Sequence, residues 1–178
     1  MTSFEDAAAW TGRSIVINMR ADNYQVALTA GTCGSCGSPT RLIGLMLPPG
    51  HEILADDEME DPNGASRPSS WERSSCATQL FYLLELPAPA LRHFSQIAPA
   101  YRLAGGGETD FPYWANHCEQ CNSRFDDQDL FCEFEGVFVP TVPAAASKID
   151  LLRIFEPIAV AAAASAYDPP FLSYMREF

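Results

Sequence analysis

The chain has 178 residues, 47% apolar and 19% charged, enough to bury one core and too rich in branched and aromatic residues for a disordered chain. Its formal charge is −12, with Lys148 the single lysine beside ten scattered arginines, which excludes a nucleic-acid backbone as partner by repulsion. The longest apolar run, Ile158 to Tyr167, is half the length of the about 20 residues that a membrane-spanning helix needs.

The N-terminus, MTSFEDAAAWTGRS, carries Glu5 and Asp6 where a secretory leader would be basic, so the expected location is the cytoplasm. RSIVINMRADNYQVALTAG reads as a hairpin of two strands around Ala-Asp-Asn. Ile15, Val16 and Ile17 are β-branched, and Tyr24, Val26 and Leu28 alternate onto one face. It leads into GTCGSCGSPT, and RLIGLMLPPG after it reads as a third strand. The first cysteine pair is thus expected between two strands.

From about 48 to 75 the chain is rich in Pro, Gly, Ser and acid, and reads as a long acidic loop. Leu80 to Leu86 fits a strand or a helix. A helix is expected from about Pro89, with Leu91, Phe94 and Ile97 on its inner face. Past the breaker Gly105–Gly107 come the second pair, NHCEQCNSRF, and LFCEFEGVFVP, whose alternation predicts a strand ending at Pro140. TVPAAASKIDLLRIF predicts a helix entered near Pro143, with Ile149, Leu152 and Phe155 inward. The alanine-rich segment after Pro157 suits either a strand or a helix. Together these elements predict an α+β fold: a small antiparallel sheet bearing two knuckles, with two or more helices, in a single domain spanning 1–178.

The chemistry concentrates in Cys33, Cys36, Cys118 and Cys121. Two cysteines three apart on a tight turn aim two sulfurs at one ion, and four thiolates complete a tetrahedral zinc site. The residue after each pair must tolerate φ > 0, and these are Gly37 and Asn122, both suited to it. A thioredoxin-type redox pair would need a helix N-terminus, which Gly34, Gly37 and Pro39 oppose. A disulfide within either pair would be strained, and a reducing compartment disfavours one. CGSCGSPT and CEQCNSRF resemble the zinc-ribbon class, whose rubredoxin-like knuckles clamp one zinc. The resemblance covers about twenty residues, and 82 positions separate Cys36 from Cys118, far more than in ordinary ribbons. It implies one structural Zn²⁺ held by these four cysteines, and no more than that.

His117 beside the second pair is expected as a neighbour of the site rather than a ligand. Cys76 and Cys132, without close partners, are expected as small buried groups. His51–Glu52 matches neither a zinc deaminase, which needs His-x-Glu, nor a zinc protease, which needs a second histidine four residues on. The glycine-rich AGGGET lacks the lysine of a phosphate-binding loop. The acidic runs at 56–61 and at Asp126, Asp127 and Asp129 lack calcium-loop spacing and read as solvated faces. The functional expectation is a non-enzymatic bacterial protein that binds another protein, in its most concrete version an immunity protein for a basic toxin. The alternatives are an enzyme with His51, His93 and the acidic loop at one cleft, and a ribbon adaptor in a larger assembly.

Overall fold

The computed structural model describes residues 15–55, 70–105 and 111–178. Among them are eleven strands: β1 (Met19–Ala21), β2 (Tyr24–Thr32), β3 (Pro39–Leu47), β4 (Glu52–Ala55), β5 (Ser70–Arg73), β6 (Thr78–Glu85), β7 (Arg102–Ala104), β8 (Tyr113–Ala115), β9 (Asp150–Ile154), β10 (Ile158–Tyr167) and β11 (Arg176–Glu177). The helices are α1 (Ala88–Ile97), α2 (Asp127–Phe131) and α3 (Pro143–Ala146), with one 3₁₀ turn at Leu172–Tyr174. The strands form one mixed sheet in the order β11-β9-β2-β3-β6-β10-β1-β4-β5, with β8 joined to β6 and β7 to β8. Only β11 and β9 run parallel.

The expectation of an α+β fold with a small antiparallel sheet is therefore overturned: the sheet dominates and the helices are short. The physical reason lies in how the central strands are buried. Val26, Ile43, Leu45, Leu47, Leu80 and Leu83 pack into one cluster, while their neighbours Ala27, Leu42, Met46 and Phe81 pack into a second on the opposite face. A strand buried on both faces has no period-two pattern and reads as a featureless apolar run. Met19 of β1, Ile53 of β4 and Leu152 of β9 reach the first cluster from both ends of the strand order, so the sheet curls around it.

The predicted helix holds as α1. Pro87 and Pro89 fix its start, and Leu91, Phe94 and Ile97 pack on the first cluster as the spacing requires. Tyr24, Val26 and Leu28 do share one face. The expected hairpin is overturned: Ile15, Val16 and Ile17 lie before the first strand, which begins at Met19, and β1 pairs with β10 and β4 while β2 pairs with β3 and β9. Within the segment read as a loop, β4 and β5 pair antiparallel, and the acidic run at 56–61 lies outside the described residues. The expected helix after Pro143 lasts one turn before β9, and Phe155 is exposed rather than inward. The expected strand ending at Pro140 is instead α2 followed by turns. The alanine-rich segment is the strand β10, in which Ala161 and Ala162 are buried. Its pairing with β6 and β1 overrides the helix preference of alanine.

Strand β6 pairs with β3 through Thr78 to Leu80, then turns away at Tyr82, whose φ is 52°, and continues beside β8 from Leu83. The gap that opens between β3 and β6 is filled by the segment from Tyr113 to Phe131. Gly44 on β3 lets the Phe131 ring lie against the backbone, where a Cβ would meet Cε1 at 2.9 Å.

Candidate metal centre

The first pair of cysteines occupies the tip of the β2–β3 hairpin. Backbone pairing runs unbroken from Gln25–Met46 to Thr32–Pro39, and the Cys33 N–H donates to the Ser38 carbonyl at 2.9 Å. The Gly37 N–H then donates to the Cys33 carbonyl at 2.8 Å, with Gly37 at φ 72°. The second pair repeats this. The Cys118 N–H donates to the Ser123 carbonyl at 2.8 Å, the Asn122 N–H to the Cys118 carbonyl at 3.0 Å, and Asn122 sits at φ 67°. Both residues chosen for left-handed backbone adopt it, because a turn this tight brings the chain back with its N–H groups facing the sulfurs.

The two turns meet. All four sulfurs of Cys33, Cys36, Cys118 and Cys121 lie within 4.8 Å of one another, with Cys33 Sγ to Cys121 Sγ and Cys36 Sγ to Cys118 Sγ both 3.6 Å. A disulfide would need about 2.05 Å, and all six cysteines of the chain are free. With metal–sulfur bonds of about 2.3 Å, the edge of a tetrahedron of thiolates is about 3.8 Å, so the donor set fits a single ion. A multinuclear iron–sulfur cluster would hold its thiolates further apart. Cys33 and Cys118 are buried, whereas Cys36 and Cys121 face solvent.

The electrostatics point the same way. The Thr40 hydroxyl donates to Cys118 Sγ at 3.4 Å and, with the backbone N–H of Cys121, brings that thiol down to about 6. The Ser123 backbone favours a thiolate at Cys121 as well, but the thiols of Cys36, Cys33 and Cys118 together with burial push it up to about 12. Four sulfurs this close cannot all ionise without a cation among them, and a cation would release the remaining protons.

The second knuckle lacks a regular hairpin beneath it. One bridge, His117 to Arg124, closes it. Its anchor is Asn116, 2% exposed, whose side-chain oxygen accepts the Ile43 N–H and whose side-chain amide donates to the Ile43 carbonyl, both at 2.9 Å. The amide takes the place of the strand that β3 lacks where β6 has turned away. The Arg102 guanidinium donates to the Asn122 side chain, and Ser35 and Ser123 share a hydroxyl hydrogen bond of 2.9 Å between the two turns.

His117 lies outside the sulfur cluster, as expected. Its Nδ1 meets the Ala115 carbonyl at 3.0 Å, and burial lowers its basicity. Cys76 is only half-buried and Cys132 is exposed, so neither is the small core group expected of it. His51 is buried, with Nδ1 on the Pro48 carbonyl at 2.8 Å. His93 pairs with Glu156 at 3.2 Å on the surface. A cleft of about 520 Å³ lined by Arg20, Glu52 and Arg73 contains neither histidine, nor does a smaller one under α1. Thr40, Asn116 and Asp127 carry no local signal of their roles. Asp127 in particular reads as part of a solvated face but is buried.

Fold and site thus define a sheet-dominated protein whose two cysteine knuckles close on one another as a four-sulfur cluster able to hold one metal ion. Comparison with protein-family models, with curated proteins and with solved structures found no match to this chain. Among the described residues no helix is long and apolar enough to cross a membrane.

Proposed function

We propose that the chain is a non-enzymatic protein stapled by one structural Zn²⁺ and acting by binding another protein. The observation that carries the zinc reading is the closed set of four sulfurs, all within 4.8 Å. Tetrahedral all-sulfur sites suit zinc or mononuclear iron, and four protein ligands leave no position for water or substrate. When bound, the ion supplies a cross-link between segments 82 positions apart and neutralises charge that the thiolates alone could not share.

The binding reading rests on surface chemistry. Phe134 is 81% exposed between the exposed Glu133 and Glu135, an aromatic knob flanked by carboxylates on a chain of charge −12. An exposed aromatic with an acidic rim complements a basic partner with an apolar pocket, as an immunity protein would meet a basic toxin. Protein purified without added metal should contain close to one zinc per chain and lack the visible absorption of an iron–thiolate centre. Cys36→Ser or Cys121→Ser should lower metal content, and retention of full metal by both variants refutes the centre. Co-purification from the native host should recover a basic protein whose binding Phe134→Ala weakens at least tenfold. Recovery of no partner, with no protection against a toxin encoded beside it, sinks the binding reading and leaves the zinc centre standing.

A further inference from the structure

The gap between β3 and β6 also holds a group that the metal centre does not use. Asp127 opens α2, yet it is 2% exposed. Its Oδ2 accepts the Tyr82 N–H at 2.7 Å, and its Oδ1 is buried without a hydrogen-bond partner. Tyr82 stands in mid-strand with φ 52°, a backbone conformation that an aromatic L-residue keeps only when its surroundings enforce it. The enforcement comes from two adjacent carboxylates. Asp127 holds the backbone of Tyr82, while Asp126 accepts its hydroxyl at 3.2 Å and also caps α2 through the Gln128 N–H at 2.9 Å.

The ionisable groups facing Asp127 are Tyr82 of β6, Tyr113 of β8, Tyr101 ahead of β7, Arg124 and Asp126 on the approach to α2, and Cys132 after it. The one cation among these, Arg124, is shared with Asp126 at 3.7 Å and lies over the Tyr113 ring at 5.6 Å. A charge on Asp127 would therefore be buried beside Asp126 with one N–H to solvate it.

We propose that Asp127 is a proton-operated latch. Uncharged, it lets α2 close over the kink of β6; charged, it accepts the Tyr82 N–H more strongly but leaves a carboxylate buried beside Asp126, and that burial cost loosens α2 and with it the wedge that carries the second knuckle. Burial, opposed by the Tyr82 N–H and reinforced by Asp126, pushes its carboxyl up from 3.8 to about 7. The fold thus favours the protonated form. The stability this contributes is present in full below about pH 4 and is lost as the pH rises through about 7. The latch closes on acidification, and it does so whichever metal the cysteines hold.

Asp127→Asn keeps an acceptor for the Tyr82 N–H but cannot take a charge. In urea unfolding of the metal-loaded full chain, the wild-type unfolding constant should rise between pH 5.5 and 8.5 by roughly tenfold or more beyond the rise in the variant. The contributions of the three histidines and the thiolates are common to both proteins and cancel. Equal pH dependence overturns the latch. Should the variant not fold, carbon-13 NMR of the wild-type Asp127 carboxyl decides: a midpoint at or above pH 6 supports the latch, and one below pH 6 overturns it.

Discussion

The two knuckles close on the same four sulfurs with the same backbone turn, but they stand on different foundations. The first ends a hairpin paired residue by residue along nine-residue strands, β2 and β3. The second has a single bridge beneath it and depends on side chains: Asn116 on Ile43, Arg102 on Asn122, Thr40 on Cys118. One knuckle is held by the sheet, and the other is held against it. A metal ion bound there would therefore do unequal work for the two, because it would add little order to a hairpin that pairs without it and much to a wedge between diverging strands.

The largest expected effect follows from removing the ion. Chelation should destabilise the fold by at least about 4 kcal/mol if the site is held near 1,000-fold above its Kd in the loaded protein. The loss should be local before it is global. Amide exchange should accelerate first from Ala115 to Phe131 and only later along β2 and β3. Equal loss of protection in both knuckles would show that the hairpin leans on the metal as much as the wedge does.

Asn116→Ala tests the same asymmetry without touching a sulfur. It leaves the Ile43 N–H and carbonyl unpaired in a buried site, which costs about 2–4 kcal/mol for the two groups. The thermal midpoint should fall and metal should dissociate faster through the second knuckle, with the β2–β3 register unchanged by NMR. Thr40→Val, which removes only the hydroxyl donor to Cys118, should cost less and should not alter the register.

The same contrast decides how much could be read from the sequence. The first knuckle was legible because its causes are local: short apolar strands on either side of a glycine-rich turn. The four-cysteine cluster was legible for the same reason, through spacing and the φ > 0 residues at Gly37 and Asn122. The supports of the second knuckle are long-range. Nothing near Asn116 announces that its partner is Ile43, 73 positions away, and nothing near Asp127 announces Tyr82, 45 positions away. The sheet-dominated fold escaped for a related reason. Strands buried on both faces lose their alternation, and β10 spends helix-forming alanines on a position where larger side chains would crowd the clusters beside it. LFCEFEGVFVP misled in the opposite direction: Phe134, a member of its alternating set, is exposed, while Phe131 and Phe138, seven positions apart and so in opposite phases of that alternation, stack at 4.8 Å across a turn.

The smallest expected effect compares the two left-handed residues directly. Gly37 and Asn122 occupy nearly the same backbone conformation, at φ 72° and 67°. Gly37→Ala places a Cβ in open space, so its cost is the backbone conformation alone, about 1–2 kcal/mol. Asn122→Gly removes side-chain strain but also the acceptor for Arg102, so the two terms offset and the stability should change by less than about 0.5 kcal/mol. Asn122→Ala keeps the strain already present and loses only the exposed acceptor for Arg102, about 0.5–1.5 kcal/mol, so in the metal-free protein it should cost no more than Gly37→Ala. In the loaded protein the two alanine variants should converge, because the ion then fixes both turns. Thermal melts of the three variants with and without chelator measure the difference. If Asn122→Ala is the more costly in the metal-free state, the Arg102 contact holds the second turn more strongly than an exposed hydrogen bond does, and the side-chain foundation is the firmer of the two.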